Sequence, residues 1–123
     1  IPAGSLGSEL VSASKSLKEL QATLQSERSA VFVVTRPERI VVAETVRLIA
    51  SLEERQIATA ATIANYVTPE NDCACDQSMR SFEVDALRAL PAAPLVITRR
   101  EAPVTDPDAL AKLFDIESDS AST

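Results

Sequence analysis

Residues 30–52 read AVFVVTRPERIVVAETVRLIASL, and this stretch sets the fold class. Ala30 to Val34 is a short apolar run rich in β-branched residues, the pattern of a strand buried on both faces of a parallel sheet. Thr35, Arg36 and Pro37 end the run. Glu38 follows Thr35 by three residues, the spacing of a capping box, and Pro37 suits a first helical turn because its missing N–H is not needed there. From Ile40 onward the apolar spacing is helical, and Thr45, Leu48, Ile49 and Leu52 are expected to form the buried face. Strand, tight loop and helix make half of a crossover unit, so the expectation is an α/β fold.

The same alternation continues downstream. ATIANYV at 61–67 reads as a second strand, and a helix is expected over 75–90 with Met79, Phe82, Ala86 and Leu90 on its inner face, stopped by Pro91. AAPLVIT at 92–98 reads as a third strand, with Pro94 tolerable only near its start. Arg99 to Thr105 forms a loop. Asp106 caps a last helix with Pro107 at its first position, and Leu110, Leu113 and Phe114 supply its apolar side. Upstream, Leu6, Leu10, Ala13, Leu17, Leu20 and Leu24 recur at alternating spacings of four and three, one seam on a helix over 5–26. That seam packs against its parent domain, or else it binds a second copy or a client.

Three segments follow: 1–29 as a helical lead-in, 30–114 as α/β, and 115–123 as an acidic, serine-rich tail with little to bury. Three strands make a thin sheet, and the chain opens Ile1-Pro2-Ala3 with no initiator Met. Both features read as a chain processed, trimmed or cut from something larger.

Composition narrows the chemistry. The formal net charge of −6 argues against a general nucleic-acid binder, because binding the phosphate backbone requires a basic patch. No apolar run approaches the roughly 20 residues of a membrane span, so a cytoplasmic location is expected. The chain has no His, which excludes His-based acid–base catalysis and His-containing metal sites. Both glycines, Gly4 and Gly7, precede the first helix, so no Gly-rich phosphate loop is present. Cys73 and Cys75 are too close for an ordinary framework disulfide, and a lone CxC is read as two reduced thiols without metal.

Two places carry candidate binding residues. Asn65 has no packing role in a strand otherwise made of Ala, Thr, Ile, Tyr and Val, and a buried amide requires a hydrogen bond. Near the carboxyl end of a parallel strand it serves either a bond to the neighbouring loop or a ligand at the edge where such sheets bind. Arg99 and Arg100, in the loop after the third strand, are suited to an anion or to a solvated corner with a salt link to Glu101.

With these features in order, residues 30–114, from VFVVTRPERIVVAETVRLIASL through Asn65 and Pro69-Glu70 to ITRREAPVTDPDALAKLF, resemble the carboxyl-terminal part of anion-transporting ATPases. That family includes the arsenical pump-driving ATPase and the ATPase that targets tail-anchored proteins. The resemblance implies a partial parallel sheet of the P-loop NTPase kind, with 5–26 returning from a helical subdomain. It implies that Asn65 recognises adenine and that the loop at Arg99, Arg100 and Glu101 lies over the base, although relatives often place Pro where this chain has Arg99. Some relatives join two subunits by zinc through CxxC; here Asp76 stands at the second position and Cys75 is displaced, which argues against zinc. The family's phosphate loop, switch regions and catalytic Asp are absent, so this chain alone is expected to be inactive and to bind nucleotide at most weakly, with ATP and Mg²⁺ bound in the full-length parent and neither expected as a resident cofactor here. The implied partners are the remainder of the parent ATPase, a second subunit, and a membrane pump or a hydrophobic protein client. The rival expectation is a nonenzymatic α/β interaction module acting through the 5–26 helix.

Overall fold

A computed structural model describes residues 3–115. The elements run α1 (Ala3–Leu24), β1 (Val31–Thr35), α2 (Arg39–Glu54), β2 (Thr59–Val67), α3 (Ala74–Leu87), β3 (Leu95–Thr98) and α4 (Pro107–Asp115). The three strands form one sheet in the order β1-β2-β3, and both pairings are parallel. The α/β class and the partial parallel sheet expected from the sequence are present.

One face of this sheet carries the core. Val33 and Thr35 of β1 lie in register with Thr62 and Ala64 of β2, and all four are buried. Val42, Ala64, Val67, Ala86, Leu87 and Leu90 form the central cluster, with Val46 and Val96 packed against it. Strand burial on both faces is not observed. Phe32, Val34 and Leu95 are more than half exposed, and Ile63 and Ile97 beside them are only half-buried. Parallel sheets are normally covered on both faces by crossover helices. Among the described residues, α2 and α3 supply one layer and nothing covers the other.

The buried helix faces keep part of what was expected, with Thr45, Ile49, Ala86 and Leu90 inside, and differ in the rest. In α2 the buried positions are Val42, Thr45 and Ile49, while Leu48 is 49% exposed and Leu52 half-buried. Periodicity had identified a stripe; the contact with β1 selects which edge of it turns inward. Thr45 donates its hydroxyl to that of Thr35 at 2.7 Å, tying the helix to the strand end. The capping box also does not form, since Thr35 belongs to β1 and Glu38 is the N-cap without a side-chain cap bond. Glu38 instead pairs with Arg36 at 2.8 Å. In α3 the inner face is Ala86 and Leu87 with Leu90 just beyond, whereas Met79 and Phe82 are 52% and 72% exposed.

The far end of α2 closes as a Schellman motif: Ile57 N–H donates to Leu52 O and Gln56 N–H to Glu53 O, both at 2.9 Å. Gln56 holds φ 57°, the left-handed position at which glycine is usual. Gln56→Gly is therefore expected to stabilise the chain by about 0.5–1 kcal/mol, the relief of left-handed strain less the added entropy of the unfolded chain. A denaturant midpoint that falls would refute this.

α4 is capped as the sequence suggested, with Ala109 N–H donating to Asp106 Oδ1 at 2.7 Å and Pro107 opening the helix. Leu110 is 53% exposed and Leu113 half-buried, so its apolar side is only partly covered. The side chain of Phe114 and the tail after Asp115 lie outside the described residues, and Asp115 itself closes the helix. On α1, Leu6, Leu10, Leu17 and Leu20 are 55–67% exposed, so the expected burial of the seam does not occur among the described residues.

Candidate nucleotide-edge site

The carboxyl ends of the parallel strands, Thr35, Val67 and Thr98, converge on one edge of the sheet, where open α/β sheets bind ligands. Asn65 stands there. Thr62 and Ala64 are buried and alternate with Ala61, Ile63 and Asn65, so Asn65 is on the face away from the core, and it is exposed. Its Oδ1 accepts the backbone N–H of Tyr66 at 2.9 Å. That bond fixes which end of the amide is oxygen. It leaves one Oδ1 lone pair, and Nδ2 with no hydrogen-bond partner among the described residues, so the group can both donate and accept.

The chain bends at the next residue. Asn65 pairs with Ile97 and Val67 with Thr98, so Tyr66 has no partner across the ladder, and it holds φ 65°. The Arg36 guanidinium lies over its ring, 5.0 Å from the centroid.

Behind the bend, Thr68 is 1% exposed and tightly bound. Its N–H and its Oγ1 donate to the two oxygens of Glu83 at 2.8 and 2.9 Å, and Arg80 Nη1 donates to its carbonyl at 2.7 Å. This clamp fixes the exit of β2 to α3. Sequence reading missed Thr68, Arg80 and Glu83; the only available signal was the Glu83 carboxylate near the buried face of a helix. The start of α3 is organised by Asn71, whose Oδ1 accepts the Cys73 N–H at 3.0 Å and whose Nδ2 donates to Asp76 at 2.7 Å.

The loop after β3 lies beside this edge, because Arg99 N–H donates to Val67 O at 2.7 Å. Its side chains take separate directions. Arg99 Nη2 is 3.6 Å from Asp76 Oδ1, so its salt link is to α3 and not to Glu101. Arg100 and Glu101 are exposed and line a shallow concavity with Thr98, Pro103 and Ala109. Among the described residues, no hydrogen bond or ion pair joins Asn65 to Arg99, Arg100 or Glu101. A second concavity, beside α3, is lined by Glu70, Asn71, Arg80, Phe82 and Arg88. It excludes Asn65, whose exposed amide with unused hydrogen-bonding capacity lies at the strand edge.

Cys73 and Cys75 are exposed and free at the start of α3. Among the described residues there is no cluster of three or more Cys, Asp or Glu side chains able to hold a metal. No described helix is long and apolar enough to cross a membrane.

The model of one protein family, described as anion-transporting ATPase, matches residues 4–88. The chain belongs to the anion-transporting ATPase family. The match takes in α1, the β1–α2 unit, Asn65 and the Thr68 clamp, and it ends before the Arg99 loop. No curated protein matches the chain. Membership of the anion-transporting ATPases agrees with the parallel α/β sheet.

Proposed function

We propose that this chain forms the adenine side of an ATP site in the carboxyl-terminal part of a cytoplasmic, dimeric ATPase. The parent's hydrolysis would drive transport of an anion such as arsenite through a membrane pump, or delivery of a hydrophobic tail-anchored client. The carrying observation is the exposed Asn65 amide at the carboxyl edge of the central strand, oriented by the Tyr66 N–H. An adenine edge offers a donor beside an acceptor, which an oriented amide matches. The Arg99, Arg100 and Glu101 loop would close over the base, supported by the anchorage of Arg99 N–H on Val67 O. The uncovered sheet face supports the same reading, because the remainder of a nucleotide-binding domain would supply the missing helical layer.

The residues present fit the base and not the phosphates or Mg²⁺. Nothing in the sequence forms a Gly-rich cradle, and the described residues hold no acidic cluster for a cation. No chemical step is therefore assigned to this chain. The test is the protein extended upstream: it should carry a Gly-rich loop with Lys-Ser or Lys-Thr and bind and hydrolyse ATP. An extension without that loop overturns the proposal.

The exposed leucine seam of α1 favours a second reading, a helix that docks a partner. Leu10→Ser with Leu17→Ser should leave the unfolding free energy of the sheet unit within about 0.5 kcal/mol for each change. Sedimentation would then show any self-association through the seam diminished. A large loss of stability would instead place α1 within the packed unit.

A further inference from the structure

We propose that Tyr66, held by Arg36, is a second contact of the nucleotide site, a wall on which an aromatic base rests beside the Asn65 amide. The inference rests on the adenine reading of Asn65 and goes beyond it. Thr62 and Ala64 face the core, so an unbroken strand would turn Tyr66 into the core and Val67 outward. The extra residue between the Asn65–Ile97 and Val67–Thr98 pairs reverses this. Val67 is 1% exposed within the central cluster, and Tyr66 is 50% exposed directly after Asn65.

The reversal requires left-handed backbone at a bulky residue, φ 65°, which glycine would adopt without strain. Bulges of this kind re-aim a side chain next to binding sites. Here the bulge places an amide and an aromatic ring consecutively on the outside of the carboxyl edge. Arg36 then restrains the ring, lying 5.0 Å from its centroid while its own Nη2 is held by Glu38 at 2.8 Å. An ordered ring loses little freedom when a planar base packs on it. The ligand class is an aromatic base, with the amide choosing adenine and the ring supplying stacking area.

Tyr66 is the single tyrosine of the chain, so its ring resonances need no separation from others. The 123-residue chain, isotope-labelled at tyrosine and asparagine, is titrated with ATP and followed by NMR. The Tyr66 ring and the Asn65 side-chain amide are expected to shift together, saturably and with one dissociation constant. Tyr66→Gly, which suits the left-handed backbone and should keep the fold, is expected to weaken binding about five- to tenfold. Arg36→Gln is expected to weaken it less and to move the ring signal of the free protein. An Asn65 amide that shifts while the ring stays still overturns the Tyr66 contact and leaves the adenine reading standing. Unchanged affinity in a folded Tyr66→Gly chain also overturns it. If neither signal moves at millimolar ATP in the chain or in the upstream-extended parent, both readings fall.

Discussion

Glu83→Ala is expected to destabilise the sheet unit by about 3 kcal/mol, the sum of two hydrogen bonds to a carboxylate at roughly 1.5 kcal/mol or more each. The carboxylate accepts both the N–H and the Oγ1 of Thr68, a residue 1% exposed that water cannot readily reach. Arg80, whose Nη1 is bound to the Thr68 carbonyl, would lose its nearest compensating order as the loop relaxes. For a domain of this size such a loss lowers the melting temperature by roughly 12–24 °C, readable by circular dichroism. Glu83→Gln separates the charge from the shape. It keeps one acceptor but turns an NH₂ toward a donor, so it should cost about half as much. A Glu83→Ala protein that melts with the wild type would show that the clamp contributes nothing to folding.

The second large effect concerns binding. In the upstream-extended parent, Asn65→Ala should weaken ATP by roughly 1–3 kcal/mol, the value of one or two hydrogen bonds where the base is left unsatisfied. Because this loss is in recognition of a distant, unreacting part of the substrate, turnover should fall mainly at subsaturating ATP, with kcat nearly kept. Stability should hardly change, since Asn65 is exposed and its one bond is to the adjacent Tyr66 N–H, which water can replace. Calorimetry on the parent and the variant decides it. Equal dissociation constants for ATP would remove Asn65 from the site while leaving the fold untouched.

Much of the fold was legible because local chemistry enforces it. VFVVT and TIANYV are β-branched runs too short for helices of comparable burial, and β1 and β2 lie where those runs lie. Asp106-Pro107 had one physical use, an N-cap followed by a first helical position, and α4 begins there. Asn65 was conspicuous as an amide out of place in an apolar strand; it lies near the carboxyl edge as expected, but exposed rather than buried.

What the sequence determined by itself was the order of strands and helices and the class of sheet, which follow from spacing and from residue types acting on their neighbours, and, by its likeness to other sequences, the family. Tertiary structure decided which side of each stripe is buried. The helical period marks Thr45, Leu48, Ile49 and Leu52 as one face, but packing against the sheet, where Thr45 meets Thr35, brings Val42 into the core and leaves Leu48 out. Met79 and Phe82 share a helical stripe with Ala86 and Leu90, but the core takes only the carboxyl-terminal end of it. The bulge at Tyr66 was invisible for the same reason. No residue type announces it, and it arises because Val67 fits the core and Thr68 is held by Glu83 from a helix fifteen residues away. Local energies select the elements, while the register between them is set by contacts distant in sequence.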